Sequence, residues 1–140
     1  MSVQTLRIVV PAVLILHGIG HWMGILTAVG VIQTATWHSR SWLLTGPLGD
    51  PASRGIALVL WVVAFVGFVA AGAGAFGWSV TSGSWRTLAV IASIVSLVAL
   101  ALFWNAFAML IPNKIGAIAV NVATLIAVLG LHWPPAEVIA

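Results

Sequence analysis

The chain has 140 residues, of which 62% are hydrophobic and 5% charged, and its mean hydropathy is +1.20. Soluble domains carry about a quarter charged residues, so this composition excludes a soluble globular domain. The formal charge of +3 comes from five scattered basic residues that form no patch for nucleic acid, and the absence of cysteine excludes thiolate metal sites, iron–sulfur ligation and disulfide-relay chemistry.

The seven charges, Arg7, Arg40, Asp50, Arg54, Arg86, Lys114 and Glu137, bound four long uncharged stretches. Each exceeds the roughly 18 apolar residues that read as a membrane-spanning helix. The expected spans are 6–32, 55–78, 87–111 and 115–133. Strands are rejected because each stretch is too long for a barrel strand, and backbone groups in lipid must be paired within a helix or around a closed barrel. The first stretch is too long for the apolar core of a signal peptide and is read as a mature helix. The expected fold class is therefore all-α: one integral membrane domain, a four-helix transmembrane bundle with both termini on one side.

The only long connection, 33–54, carries Gly46, Pro47, Gly49 and Pro51, and Pro112-Asn113-Lys114 turns the last two helices into an antiparallel hairpin. Arg40, Arg54 and Lys114 share one face against Arg7 and Arg86 on the other, a count of basic residues that leans the first and third loops toward the cytoplasm.

Tryptophan occurs eight times and tyrosine never. Trp37, Trp42, Trp78, Trp85 and Trp133 fall near span ends, where indoles form interfacial belts. Trp22, Trp61 and Trp104 lie inside spans, either as packing residues or as walls of a ligand pocket.

The densest polar feature is His17-Gly18-Ile19-Gly20-His21-Trp22-Met23-Gly24. At a spacing of four, both imidazoles share one helix face, with Gly20 and Gly24 beside them as a small-xxx-small packing pair. Ionisable groups at membrane depth are costly and by default functional, although neutral histidine also serves as a hydrogen-bonding tie between helices. Asn105 and Asn121 stand symmetrically about Asn113, so a hairpin turning there places them at equal depth, able to pair. Depth counting puts Trp61, Trp104 and both asparagines in one layer, with His21 several Å deeper.

No catalytic set emerges. Asp50 and Glu137, the only carboxylates, lie in a loop and a tail, leaving no acid–base pair among the spans and no metal set beyond the two imidazoles. Histidines one turn apart on one helix do not sandwich a haem. Stand-alone catalysis is not expected, and neither catalytic nor metal-binding residues are assigned.

Leu6-Arg7, an apolar run and then His17-Gly18 with Gly24 resemble the first helix of DoxX-like small bacterial membrane proteins, whose pattern is Arg, an apolar run and His-Gly-x-x-Lys-x-x-Gly. The glycine-bearing second helix around Gly67 and Gly72 is also similar. His21 stands where that pattern has lysine, and Ala64 and Phe65 stand where it has an acidic residue. The resemblance covers the first half of the chain. It implies a four-helix bundle in a bacterial cytoplasmic membrane, with some relatives acting as membrane partners of quinone-linked oxidoreductases.

Three functional readings follow. One is a non-catalytic subunit or anchor of a larger, redox-linked complex. A second is a homo-oligomeric conduit for protons or small solutes lined by His17 and His21. The third is a binder of a hydrophobic ligand, a quinone or a tetrapyrrole, formed by His17, His21, Trp22, Trp61, Trp104, Asn105 and Asn121. The expected partners are the lipid bilayer and other membrane subunits or further copies of the chain.

Overall fold

Along each long helix the buried positions recur every three or four residues, and they are mostly small. In the first they are Pro11, Leu14, Gly18, His21, Ile25 and Ala28; in the second, Ser53, Ala57, Trp61, Ala64, Phe68, Ala71 and Ala75; in the third, Trp85, Ala89, Ala92, Ser96 and Ala99. Valine, isoleucine and leucine face outward instead, among them Leu16, Ile19, Val59, Val63, Val66, Ile91 and Val98. Small residues inside and bulky aliphatics outside reverse the arrangement of a soluble bundle and let backbones approach closely.

A computed structural model describes residues 2–78, 80–107, 110–135 and 138–139; Glu137 and residues 108–109 of the expected third span lie outside them. The described chain is all-helical, without strands. Helix α1 (Val3–Gly20) starts on Ser2, whose Oγ accepts from the Thr5 amide, and continues after His21 as α2 (Trp22–Ala28). Helix α3 spans Thr45–Ala75, α4 Trp85–Leu102 and α5 Ile115–Leu125, the last extended by a π-helical turn, Ile126–Gly130. Three of these segments, Val3–Ala28, Thr45–Ala75 and Ser82–Leu102, are long and apolar enough to cross a membrane. The last, Ile115–Gly130, is shorter, about 24 Å at 1.5 Å per residue.

Helix α3 lies at the centre, between α1/α2 on one side and α4 on the other, and α5 packs on α4. Helices α1 and α5 make little backbone contact, which leaves a cleft between them.

Several boundaries depart from expectation, each for a local reason. Helix α3 begins ten residues before 55 as a short turn followed by a break at Gly49, whose positive φ suits only glycine; regular helix restarts at Asp50-Pro51. The first connection is shorter in consequence. The third helix ends at Leu102 rather than 111, because the connection after α2 folds over its C-terminus. Ser41 Oγ donates to the Leu102 carbonyl, Trp42 Nε1 donates to the Ala101 carbonyl (2.9 Å), and the His38 amide donates to the Ala106 carbonyl (3.2 Å). Once these partners satisfy the last carbonyls, the chain turns through Trp104–Ala106 into extended Phe107, which bridges to Trp37.

The termini share one end of the molecule. Arg7 Nε donates to the Val138 carbonyl (2.8 Å) and Arg86 Nη2 to the Pro134 carbonyl, while Ile139 is buried against a cluster that includes Leu14 and Trp85.

The two glycines expected to pack behave differently. A Cβ on Gly24 would stand 2.7 Å from the buried Trp61 ring, whereas one on Gly20 would meet nothing within 4 Å. Gly24→Ala is expected to cost about 1–3 kcal/mol through overpacking, and Gly20→Ala to remain within about 0.5 kcal/mol of the parent, as read from thermal or denaturant unfolding.

Candidate functional site

The helix break at His21 comes from the imidazole. In a regular helix the His21 amide would donate to the His17 carbonyl; here it reaches Gly18 (3.0 Å), and ring Nδ1 takes the His17 carbonyl instead (2.9 Å). That exchange tightens one turn and turns the ring toward α4, where Nε2 lies 2.8 Å from Ser96 Oγ. Asn121 of α5 donates through Nδ2 to the same Ser96 oxygen (2.8 Å), and its Oδ1 lies 3.2 Å from His17 Nε2. The four residues therefore close a ring, through the backbone carbonyl of His17, that ties α1 to α4 and α5. Asn121 and Ser96 are fully buried and His21 is 7% exposed.

Donor–acceptor chemistry allows this ring one proton arrangement with a single proton on each imidazole. A carbonyl only accepts, so His21 carries its proton on Nδ1 and accepts at Nε2. Ser96 must then donate to His21, and its oxygen accepts from Asn121 Nδ2. Asn121 Oδ1 accepts, so His17 carries its proton on Nε2. These tautomers are assigned from the bonding pattern. Aromatic rings support the ring on the α3 side: Phe68 meets His17 edge to face at 4.6 Å and stacks on His21 at 5.7 Å, and Trp61 lies 5.8 Å from His21.

Beside the ring, between α1/α2 and α5, is a cavity of about 320 Å³. Its apolar walls include Met23, Trp37, Trp61, Leu100, Phe107 and Val120, and its polar groups come from His17, His21, Ser96 and Asn113. Asn113 Nδ2 is buried and has no hydrogen-bond partner among the described residues. Exposed Leu16 and Gly20 also line the cavity, so it opens to the outer surface through the cleft between the first and last helices. None of the lining residues is charged.

The structure brings together His17, His21, Trp61 and Asn121 of the expected set. It separates Trp22, Trp104 and Asn105. Trp22 is 49% exposed on the outer surface against Phe65. Trp104 and Asn105 lie beyond the early end of α4. The Trp104 ring sits beneath Lys114 Nζ at 4.8 Å, and Asn105 Oδ1 accepts from the Trp42 amide (3.0 Å). The expected Asn105–Asn121 pair does not form, since each amide is engaged elsewhere. Gly20 lines the cavity and packs against no helix.

Four site residues were not expected. Ser96 was signalled by two hydroxyls, Ser93 and Ser96, inside an otherwise aliphatic stretch of α4. Asn113 was legible only as a turn residue. Trp37 had the signature of an interfacial indole, and Phe107 that of an ordinary helical core residue. Both reach the cavity through the loop that caps α4.

Chemically, the arrangement holds uncharged groups. Among the described residues no three metal-ligating side chains gather. Both ring nitrogens of His21 and Nε2 of His17 are occupied by hydrogen bonds, so of the two imidazoles only Nδ1 of His17 could serve a tetrapyrrole as an axial ligand without breaking the ring. Compared with known proteins, the chain matches no family model, no curated protein and no solved structure.

Removing Asn121 leaves the His17 Nε2 proton without an acceptor and Ser96 with its bond to His21 alone. Asn121→Leu is expected to cost about 1–2 kcal/mol. A double-mutant cycle with Ser96→Ala should give clear coupling, and a cycle with Asn105→Leu none.

Proposed function

We propose that this protein is a polytopic membrane protein that binds an uncharged, lipid-soluble small molecule in the cavity between its first and last helices. In this reading all four helical segments cross the bilayer, the short last one with local thinning around it. The observation that carries the binding reading is an apolar chamber of about 320 Å³ that opens on the outer surface, with the Asn113 side chain, whose buried Nδ2 has no partner among the described residues, on its wall. A buried amide donor without an acceptor costs about 1–3 kcal/mol, which a ligand oxygen would recover. The volume lies at the lower end of small-ligand sites. The opening past Leu16 and Gly20 faces the outer surface, the direction from which a molecule dissolved in lipid would arrive. Ring-headed neutral lipids, quinones among them, have this character.

Proton conduction draws less support, because the hydrogen bonds of His17, Asn121, Ser96 and His21 return to their starting residue rather than running from face to face. The reading as a subunit of a larger complex, in keeping with the DoxX-like resemblance and a bacterial cytoplasmic membrane, is favoured by one observation. Trp22 is half exposed on the outer surface, and its indole N–H has no partner among the described residues. A neighbouring polypeptide would supply one.

Solvent extraction and mass analysis of gently purified protein tests the binding reading. The parent should release one uncharged lipid in near-equimolar amount. Gly20→Phe fills the opening from a position where a side chain meets nothing, and it should retain at least tenfold less. Equal recovery from both would contradict the proposal. A polypeptide that co-purifies with the parent and is lost from Trp22→Leu would support the subunit reading.

A further inference from the structure

The closed ring determines what the cavity has left to offer. Each proton in it is assigned by its neighbour, beginning with the His17 carbonyl, which only accepts. Four bonds later His17 donates through Nε2, and its Nδ1 is left as an acceptor with no partner among the described residues. His21 is saturated at both nitrogens. Ser96 has donated its one proton and received one. Among the groups that line the cavity, His17 therefore offers an acceptor at Nδ1 and Asn113 a donor at its Nδ2, unpartnered among the described residues, beside the amide oxygen of Asn113, the second lone pair of Ser96 and the indole N–H groups of Trp37 and Trp61.

A ketone or an ether satisfies Asn113 and leaves His17 unmatched. A hydrocarbon satisfies neither. Phosphate, carboxylate and ammonium head groups find no countercharge, since the nearby Lys114 does not line the cavity and directs Nζ over the Trp104 ring. A hydroxyl matches the arrangement because the group both donates and accepts. The remaining wall, which includes Leu16, Met23, Leu100 and Val120, is complementary to hydrocarbon.

We infer that the ligand of this cavity is a neutral hydroxyl-bearing lipid, an alcohol or phenol, whose O–H donates to His17 Nδ1 while an oxygen of the same or a neighbouring group accepts from Asn113 Nδ2. This rests on the ligand-binding reading above and narrows it to one chemical class.

The test uses three probes of one skeleton, 4-hexylphenol, its methyl ether and hexylbenzene. Their binding to the full chain in lipid nanodiscs is measured by equilibrium dialysis and corrected against empty nanodiscs. The phenol should bind about tenfold more tightly than the ether, and the ether several-fold more tightly than hexylbenzene. Asn113→Leu breaks no internal hydrogen bond of the Nδ2 group. It should weaken phenol and ether alike and preserve their ratio. His17→Phe should bring the ratio close to one while hexylbenzene still binds.

A ratio near one in the parent, with hexylbenzene bound and displaced by Gly20→Phe, overturns the hydroxyl assignment and leaves the binding reading standing. A tenfold ratio that survives in His17→Phe overturns the role of His17. Failure of all three probes to bind overturns both the inference and the reading beneath it.

Discussion

A polar side chain taken out of water is costly unless it finds a partner, and in this molecule one set of four residues that satisfy one another organises the bundle. His17, His21, Ser96 and Asn121 come from segments whose middles are built mostly of alanine, glycine and large aliphatics. Each would cost on the order of a few kcal/mol if buried alone. Joined head to tail they satisfy one another, and the join crosses the cleft where α1 and α5 hardly touch through their backbones. The same bonds that hold the last helix in place therefore keep the cavity beside it open instead of letting the two helices collapse together. Rigid aromatic neighbours complete the arrangement: Phe68 and Trp61 hold the imidazoles from the α3 side, and the absence of a Cβ at Gly24 gives the Trp61 ring its space.

The ends of the helices define the rest of the chamber. Because Ser41, Trp42 and His38 bond to backbone carbonyls at and beyond the end of α4, that helix stops early and its continuation returns as an extended strand-like residue, Phe107, against Trp37. Trp37, Phe107 and Trp61 follow one another at 5.4 and 5.6 Å and wall one end of the cavity. At the opposite end Arg7 and Arg86 bind carbonyls of the C-terminal tail, which holds the tail over α1 and α4. The two long-range arginine contacts thus perform at one end what the loop hydroxyls and amides perform at the other.

Much of this was legible in the amino-acid sequence, and the limits have physical causes. The helical character and the lengths of the apolar segments follow from where seven charges fall. The imidazole face was visible because two histidines and two glycines at helical spacing interrupt a run of aliphatics, and Asn121 and Trp61 were within reach of a depth count from the loops. That count failed for Trp104 and Asn105, since it assumed that α4 runs unbroken to 111. Nothing local to 103–107 opposes a helix there; the competing partners come from residues 38–42, far away in sequence. The fit of Gly20 and Gly24 was likewise undecidable from spacing alone, because only packing shows that one faces a tryptophan ring and the other an opening. The role of Asn113 was hidden by its position in a turn, where asparagine is expected for local reasons.

The central claim is that one closed circuit of hydrogen bonds sets the tautomers of both imidazoles and so the chemistry left over for a ligand. Nitrogen-15 NMR of imidazole-labelled protein in lipid bilayers reads those tautomers directly. The account predicts a proton on Nδ1 of His21 and on Nε2 of His17, with the His17 signal changing in Asn121→Leu and the His21 signal in Ser96→Ala. Finding His21 with its proton on Nε2, or both imidazoles indifferent to the loss of Asn121 and Ser96, would contradict it.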